Sequence, residues 1–399
     1  MGARAPPPQA ANSADTAAPP RLERERAVAL EAVRRASALA RSVQADCGVA
    51  GADAPASKAD ASPVTVADFA VQALVVGALA AAFPDDVFIA EESSAALVDD
   101  PVLRARVAEL VAAYASQSSS PGARGADAEA AVTATIGRCD HGGGDGRRTW
   151  ILDPIDGTRG FVRQAQYCIA LALVEGGEVV LGVLGCPNLG RSGAGDVPPP
   201  PPEGATAAAA VAAGELGTLF HATIGGGAYE LPEAHVADAP PADGAADAPR
   251  GPFPPPGQHI HVSTGGVTPA ARLSQSVEAA HSRHALTARI ATLLGVTAPA
   301  VRIDSQAKYG LLARGDVDAF LRFPRGGYVE NVWDHAAGAL VVTEAGGVVS
   351  DGTGAALAFG RGRSMGNKGG IVAAGAGVYP DLIKAVGVAL AEDEERPVA

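Results

Sequence analysis

Cysteine is scarce in this chain. Its four residues (Cys47, Cys139, Cys168 and Cys186) include no CxxC pair and no His/Cys spacing of the kind that holds zinc. That excludes a disulfide-stapled scaffold and a structural zinc module, and reduced thiols are the expectation. Positive charge is also short: 31 Lys and Arg face 44 Asp and Glu, a formal net charge of −13. Such a surface repels polyanions, so neither nucleic acid nor an acidic membrane is the expected partner. A small anionic substrate would then need a local positive site, for which bound metal ions are the obvious source. Long apolar runs are missing too. The longest, residues 69–83, is bounded by Asp68 and by Pro84-Asp85-Asp86. It falls short of the ~18–20 residues of a membrane span and reads as a buried helix. Residues 1–20 are Ala/Pro-rich with one arginine and no apolar core, unlike a secretory signal, and are expected to be disordered. The expected compartment is cytoplasmic, with a chloroplast or mitochondrion as the alternative.

What the chain does carry is an acidic motif, Trp150-Ile151-Leu152-Asp153-Pro154-Ile155-Asp156-Gly157-Thr158-Arg159-Gly160-Phe161. An apolar run ends in two aspartates, and a Gly-Thr pair opens a helix. Both carboxylates can face one cation cluster, with Pro154 stiffening the bend between them. Gly157 lets backbone approach a ligand, and the N–H groups of a helix start favour a phosphate. Metal carboxylates beside an anion cradle suggest metal-assisted phosphoryl chemistry. A calcium loop of the EF-hand kind fails here, because its alternating acidic positions and closing glutamate are absent.

Three further segments accompany this one. Ser62-Pro63-Val64-Thr65-Val66-Ala67-Asp68 and Ile89-Ala90-Glu91-Glu92-Ser93 lie upstream; Val332-Trp333-Asp334-His335-Ala336-Ala337-Gly338 lies downstream and runs on to Glu344-Ala345-Gly346-Gly347. In this order they resemble the inositol monophosphatase superfamily of metal-dependent, lithium-sensitive phosphatases. Asp304-Ser305-Gln306-Ala307-Lys308-Tyr309, Leu321-Arg322-Phe323-Pro324 and His281-Ser282-Arg283-His284 look like its 3′(2′),5′-bisphosphate nucleotidase branch. The resemblance covers roughly residues 21–110, 136–190 and 259–390.

That resemblance implies an α/β fold, a layered αβαβα sandwich, with two to three Mg²⁺ ions. Glu91, Asp153 and the carbonyl of Ile155 would hold one ion; Asp153 would bridge to a second, held also by Asp156 and Asp334. Asp68 and Thr158 would hold the attacking water, where Asp68 alone would read as a helix N-cap. Gly157, Thr158, His281, Ser305, Lys308 and Arg322 would contact substrate. The implied reaction is hydrolysis of the 3′-phosphate of 3′-phosphoadenosine 5′-phosphate to AMP and phosphate, a clearing step in sulfate assimilation, with the sulfated analogue a further substrate. The expected partner is thus a small-molecule bisphosphate nucleotide, and the chain is expected to be a monomer. His335 should face away from the Asp334 carboxylate and pack instead. Two positions depart from the pattern: Gln164 follows Arg163 where relatives carry glycine, and Asn331 stands where they often carry lysine.

Apolar spacing places a helix over residues 21–44, a second after Asp68, and a short strand over 87–90 delivering Glu91. A hairpin of residues 167–174 and 178–185 turns at Gly176-Gly177 and brings Cys168 near Cys186. Buried thiols are the favoured reading there over a regulatory disulfide. Residues 278–294 read as helix, 301–304 as strand, 306–314 as helix and 319–323 as strand. Stretches of about 114–135, 190–215 and 232–257 are rich in Ala, Pro, Ser and Gly and read as solvated insertions. The expected organisation is a metal-binding half over 21–230, a linker over 231–258 and a substrate-recognition half over 259–395.

Three rivals remain to be weighed. Gly362-Arg363-Ser364-Met365-Gly366 mimics an esterase elbow and His141-Gly142-Gly143-Gly144 an oxyanion loop, but the elbow needs a helix after it and a later histidine, and neither is present. A non-catalytic nucleotide sensor would lack Asp68, Thr158 or a metal carboxylate. An inositol mono- or bisphosphatase is the alternative within the enzyme reading.

Overall fold

The computed structural model describes residues 22–47, 63–115, 125–144, 146–190, 216–233, 257–277, 283–324 and 328–394. One sheet runs in sequence order: β1 (Val87–Ala90), β2 (Thr149–Asp156), β3 (Cys168–Glu175), β4 (Glu178–Gly190), β5 (Leu216–Thr223), β6 (Gly227–Pro232) and β7 (Gln258–Ile260). Among the described residues of this sheet, only the β1–β2 pair is parallel. A second sheet uses β8 (Leu273–Gln275), β9 (Val301–Arg302), β10 (Ala319–Arg322), β11 (Gly347–Asp351) and β12 (Ile371–Gly375), in the order β11-β12-β10-β8-β9. The helices are α1 (Glu23–Cys47), α2 (Pro63–Ala82), α3 (Ser94–Asp99), α4 (Pro101–Tyr114), α5 (Ala126–Gly137), α6 (Thr158–Val162), α7 (His284–Leu294), α8 (Ala307–Ala313), α9 (Ala336–Glu344) and α10 (Tyr379–Glu394).

Strand alternation explains the layering. Ile169, Leu171 and Leu173 of β3 face the core shared with α1 and α2, while Cys168, Ala170, Ala172 and Val174 face a second core that contains α8 and α9. A third core lies between the second sheet and α7 and α10. The result is five layers: helices, sheet, helices, sheet, helices. This is the α/β sandwich expected from the sequence.

The middle layer is thin because its contacts use the smallest residues. A Cβ on Gly182 of β4 would meet the Ala337 carbonyl oxygen at 2.7 Å, and one on Gly338 would meet the Tyr309 ring at 2.2 Å. Gly338→Ala should therefore destabilise the protein by about 1–3 kcal/mol through overpacking. Urea unfolding checks this; an unchanged midpoint would mean that α8 and α9 can separate freely.

Local chemistry fixes the element ends. Asp100 caps α4, its carboxylate accepting from the N–H groups of Val102 and Leu103 at 2.9 Å, with Pro101 at the first helical position. Three expectations need correction. Residues 126–135, read as part of an insertion, belong to α5 (Ala126–Gly137), whose Val132 and Ile136 are buried. Helix α7 starts at His284, and residues 278–282 lie outside the described part of the chain. Helix α2 starts at Pro63, ahead of Asp68, and not after it. Its earlier start makes it long and apolar enough to cross a membrane by length and composition. Here it is mostly buried and packs in the first core with Leu30, Val33 and Leu103. The segments 1–20, 191–215 and 234–256 also lie outside the described residues.

Candidate active site

Two acidic side chains three residues apart on a regular strand point to opposite faces. Strand β2 avoids that. Asp153 pairs with Ala170 and Asp156 with Cys168, so three steps on β2 match two on β3. This one-residue bulge, at Pro154-Ile155, turns both carboxylates to one side. Pro154 suits the bulge because it has no N–H to leave unpaired. The chain then enters α6 through Gly157 at φ 88°, where a Cβ would meet that of Ser305 at 3.0 Å. The Thr158 hydroxyl donates to the Ile155 carbonyl at 3.4 Å.

Asp334 comes from the other half of the chain, at the end of a 3-10 turn (Val332–Asp334) ahead of α9. Carboxylate oxygens of Asp153, Asp156 and Asp334 lie within 4.8 Å of one another. Glu91 follows β1, beside β2 in the parallel pair, and Asp68 projects from the second turn of α2. Asp68 is 3 % exposed, inside the helix, so it is no N-cap. Burial, then the negative charges of Glu91, Asp156, Asp334 and Asp68, push the Asp153 carboxyl well above the usual carboxylate range. Burial and Asp334 raise Asp156 to about 6, although Lys308, Arg322 and the Gln306 N–H pull the other way. Asp153 Oδ1 is buried with no hydrogen-bond partner among the described residues. A crowded set of oxygen donors with such an atom fits a hard divalent cation of the Mg²⁺ kind.

Cations back this cluster on one side. Arg322, at the end of β10, donates from Nε to Glu330 Oε1 at 2.9 Å and from Nη2 to Glu330 Oε2 at 2.8 Å. The same Nη2 lies 3.3 Å from Asp334 Oδ2. Burial would raise Glu330, but the His335 hydrogen bond and the Arg322 charge hold it at about 2. His335 is fully buried, with Nδ1 2.8 Å from the Tyr309 hydroxyl and Nε2 3.1 Å from Glu330. The packing role is as expected, but the ring does not face away from Asp334: one of its nitrogens lies within 4.8 Å of an Asp334 carboxylate oxygen. Glu330, Asp334 and His335 also converge closely enough for a metal, but Arg322 sits between the two carboxylates, so this is an ion-pair network. Lys308 is 2 % exposed and donates to the Ile303 carbonyl at 3.1 Å. Burial lowers its ammonium to about 8, against the pull of Asp156.

Ser305 lies beside Gly157 at φ 69°, left-handed for a residue with a Cβ. Among the described residues Gln164 is the other such residue, at φ 56°. Glycine would adopt that backbone without strain, so the glycine expected there from relatives has a physical basis. The structure thus gathers Asp68, Glu91, Asp153, Ile155, Asp156, Gly157, Thr158, Ser305, Lys308, Arg322 and Asp334. His281 lies outside the described residues. Cys168 and Cys186 sit opposite each other as buried free thiols, Sγ to Sγ 3.8 Å.

Several supporting residues escaped the sequence reading. Gln72 donates to the Glu92 carbonyl at 2.8 Å and accepts from its N–H at 3.0 Å, tying α2 to the Glu91 segment. It stands one helical turn after Asp68, a spacing that offered the clue. The Gln306 side chain bonds the Trp333 carbonyl and the Gly338 N–H, holding α8 against the Asp334 turn. Glu330 gave no sequence signal, since its partners lie on other elements.

The raised carboxylates have a measurable consequence. In metal-free protein the folded state binds the Asp156 proton more tightly than the unfolded chain, where aspartate titrates near 3.8. Stability from this group is highest below that value, falls as pH rises to about 6, and carries the full penalty at pH 7. In EDTA, Asp156→Asn should therefore melt above the parent at pH 7, by about 1 °C for each kcal/mol relieved in a chain of this length. The difference should vanish by pH ~4. No gain at pH 7 would mean the carboxylates do not crowd one another.

Fold and donor set together define a class: a layered α/β protein with a carboxylate site for hard divalent cations. The chain belongs to the inositol monophosphatase family, whose model matches residues 21–391. Enzymes of that family use Mg²⁺. A 3′(2′),5′-bisphosphate nucleotidase from Oryza sativa is 40% identical over 383 residues, covering 93% of this chain and 96% of that protein. One of the same name from Emericella nidulans is 37% identical over 370 residues, covering 91% and 97%. Among solved structures, Mycobacterium tuberculosis SuhB matches with a TM-score of 0.51 at 22% identity, covering 92% of this chain and 96% of that one. Inositol monophosphatase II from Staphylococcus aureus matches with a TM-score of 0.52 at 14% identity, covering 93% and 98%. The solved structures share the fold.

Proposed function

We propose that this protein is a Mg²⁺-dependent 3′(2′),5′-bisphosphate nucleotidase that removes the 3′-phosphate of 3′-phosphoadenosine 5′-phosphate, leaving AMP and phosphate. The observation that carries this reading is the pairing of a carboxylate cluster around the buried Asp153 with two cations, the buried Lys308 and the partly buried Arg322, both acting on Asp156. The near-full-length likeness to nucleotidases of that name agrees with it.

In this reading Glu91, Asp153 and the Ile155 carbonyl would hold one ion, and Asp153, Asp156 and Asp334 would hold a second. Bound Mg²⁺ supplies a lowered water pKa and charge neutralisation at the leaving oxygen. Asp68 accepts a proton from the attacking water, and the Thr158 hydroxyl orients that water. Gly157 lets the reacting phosphate reach the backbone N–H groups at the start of α6. The side chains of Lys308 and Arg322 set a positive field at the far end of the cluster, suited to the phosphate that stays on the product. Ser305 lines the same end.

Phosphorus NMR of the products tests the regiochemistry. The expected products are inorganic phosphate and adenosine 5′-monophosphate. Adenosine 3′-monophosphate as the main product would place the cation pole on the wrong phosphate.

A further inference from the structure

The Gly362-Arg363-Ser364-Met365-Gly366 segment has no part in the reaction as assigned, yet it touches both halves of the site. Its backbone runs alongside the residues that precede Asp334. The Val332 N–H donates to the Arg363 carbonyl at 2.9 Å, the Met365 N–H to the Glu330 carbonyl at 2.8 Å, and Asn331 and Ser364 form an antiparallel bridge. The Arg363 side chain crosses to the other half. Its Nη2 donates to the Ala90 carbonyl at 2.8 Å and lies 3.4 Å from that of Glu91, and Nη1 donates to the Cys139 carbonyl at 3.2 Å. The guanidinium lies over the Trp333 ring, 4.7 Å from its centroid. Ala90 ends β1 immediately before Glu91, and Trp333 immediately precedes Asp334.

We infer that Arg363 is a positioning residue that fixes the separation of Glu91 and Asp334, and thereby sets the divalent-cation affinity of the cluster without touching the ion. This rests on the reading of the cluster as a metal site. A guanidinium is a rigid planar fork with an aromatic-binding face. Carbonyls on one side and an indole on the other therefore fix its place, and through it the two backbones that carry Glu91 and Asp334. Small hard cations demand near-ideal coordination at about 2.0–2.1 Å, so a displaced carboxylate weakens binding. Outer residues of this kind commonly change metal affinity by about 10–100-fold.

Charge alone gives the opposite sign. Removing a cation near a carboxylate cluster favours a bound cation, so an electrostatic role predicts tighter binding in Arg363→Ala. A positioning role predicts weaker binding. The experiment titrates EDTA-stripped, full-length protein with Mn²⁺, following the free ion by electron paramagnetic resonance, and uses Arg363→Ala, Arg363→Lys and Trp333→Leu. Arg363→Ala should bind Mn²⁺ about 10–100-fold more weakly. Arg363→Lys and Trp333→Leu should each lose less, and kcat at saturating metal should return close to the parent value. If Arg363→Ala does not fold, the other two variants decide the matter. Unchanged or tighter Mn²⁺ binding in folded variants would overturn the inference alone. Parent protein without Mn²⁺ binding that depends on Asp153 would overturn both the inference and the metal site beneath it.

Discussion

Asp153→Asn should lower kcat by at least ~10³-fold at saturating Mg²⁺, the loss of several kcal/mol of transition-state stabilisation. Asp153 is the one carboxylate placed to serve both proposed ions, and the other four acidic residues all act on it. Its amide would present one neutral oxygen and one N–H to a site built for anionic donors. The same substitution removes the most crowded negative charge, so the metal-free protein should become more stable as activity disappears. That pairing separates a lost ligand from a lost fold. Turnover near the parent value, or a lower melting temperature in EDTA, would refute the assignment.

Asp68→Asn and Thr158→Ala should each lower kcat by about 10²–10⁴-fold while KM changes little. Both residues are assigned to the attacking water, whose contacts strengthen only as the transition state forms. Asp68 is held inside α2, and Gln72 one turn later bonds both sides of the Glu92 peptide. An asparagine should therefore fit without shifting the helix. Steady-state kinetics of the two variants on the same nucleotide provide the check. A large rise in KM with kcat preserved would make them substrate-binding residues.

Much of the scaffold was legible because its pattern is local. The β3–β4 hairpin follows from apolar runs either side of Gly176-Gly177, and α8 matches the expected helix over 306–314. Other parts were hidden for identifiable reasons. Helix α5 is so rich in alanine that its composition resembled a linker, although alanine is also the best helix former. The start of α2 carries Val64, Thr65 and Val66, β-branched residues that look like a strand until burial in the first core decides the matter.

The site divides in the same way. The acidic residues could be named because each sits in a compact motif, and their convergence followed from the resemblance. The β2 bulge that aims Asp153 and Asp156 together is a property of pairing with β3, which no single-strand pattern contains. Arg363 owes its place to contacts between distant segments, and Glu330 to Arg322 and His335 on neighbouring elements, so no sequence motif marked either for this role. The expectation that Lys308 and Arg322 contact substrate is modified by the structure. Lys308 is buried, and Arg322 is partly buried and already engaged with Glu330 and Asp334. A substitution of Arg322 should therefore disturb the metal cluster as well as substrate affinity.

The central claim is that the carboxylate cluster and the cation pole together select a bisphosphate nucleotide. The most direct test compares kcat/KM for 3′-phosphoadenosine 5′-phosphate with that for inositol 1-phosphate, on the same Mg²⁺-loaded protein. The account predicts the higher value for the nucleotide and loss of both activities in EDTA. A higher kcat/KM for inositol 1-phosphate, or turnover that persists in EDTA, would contradict it.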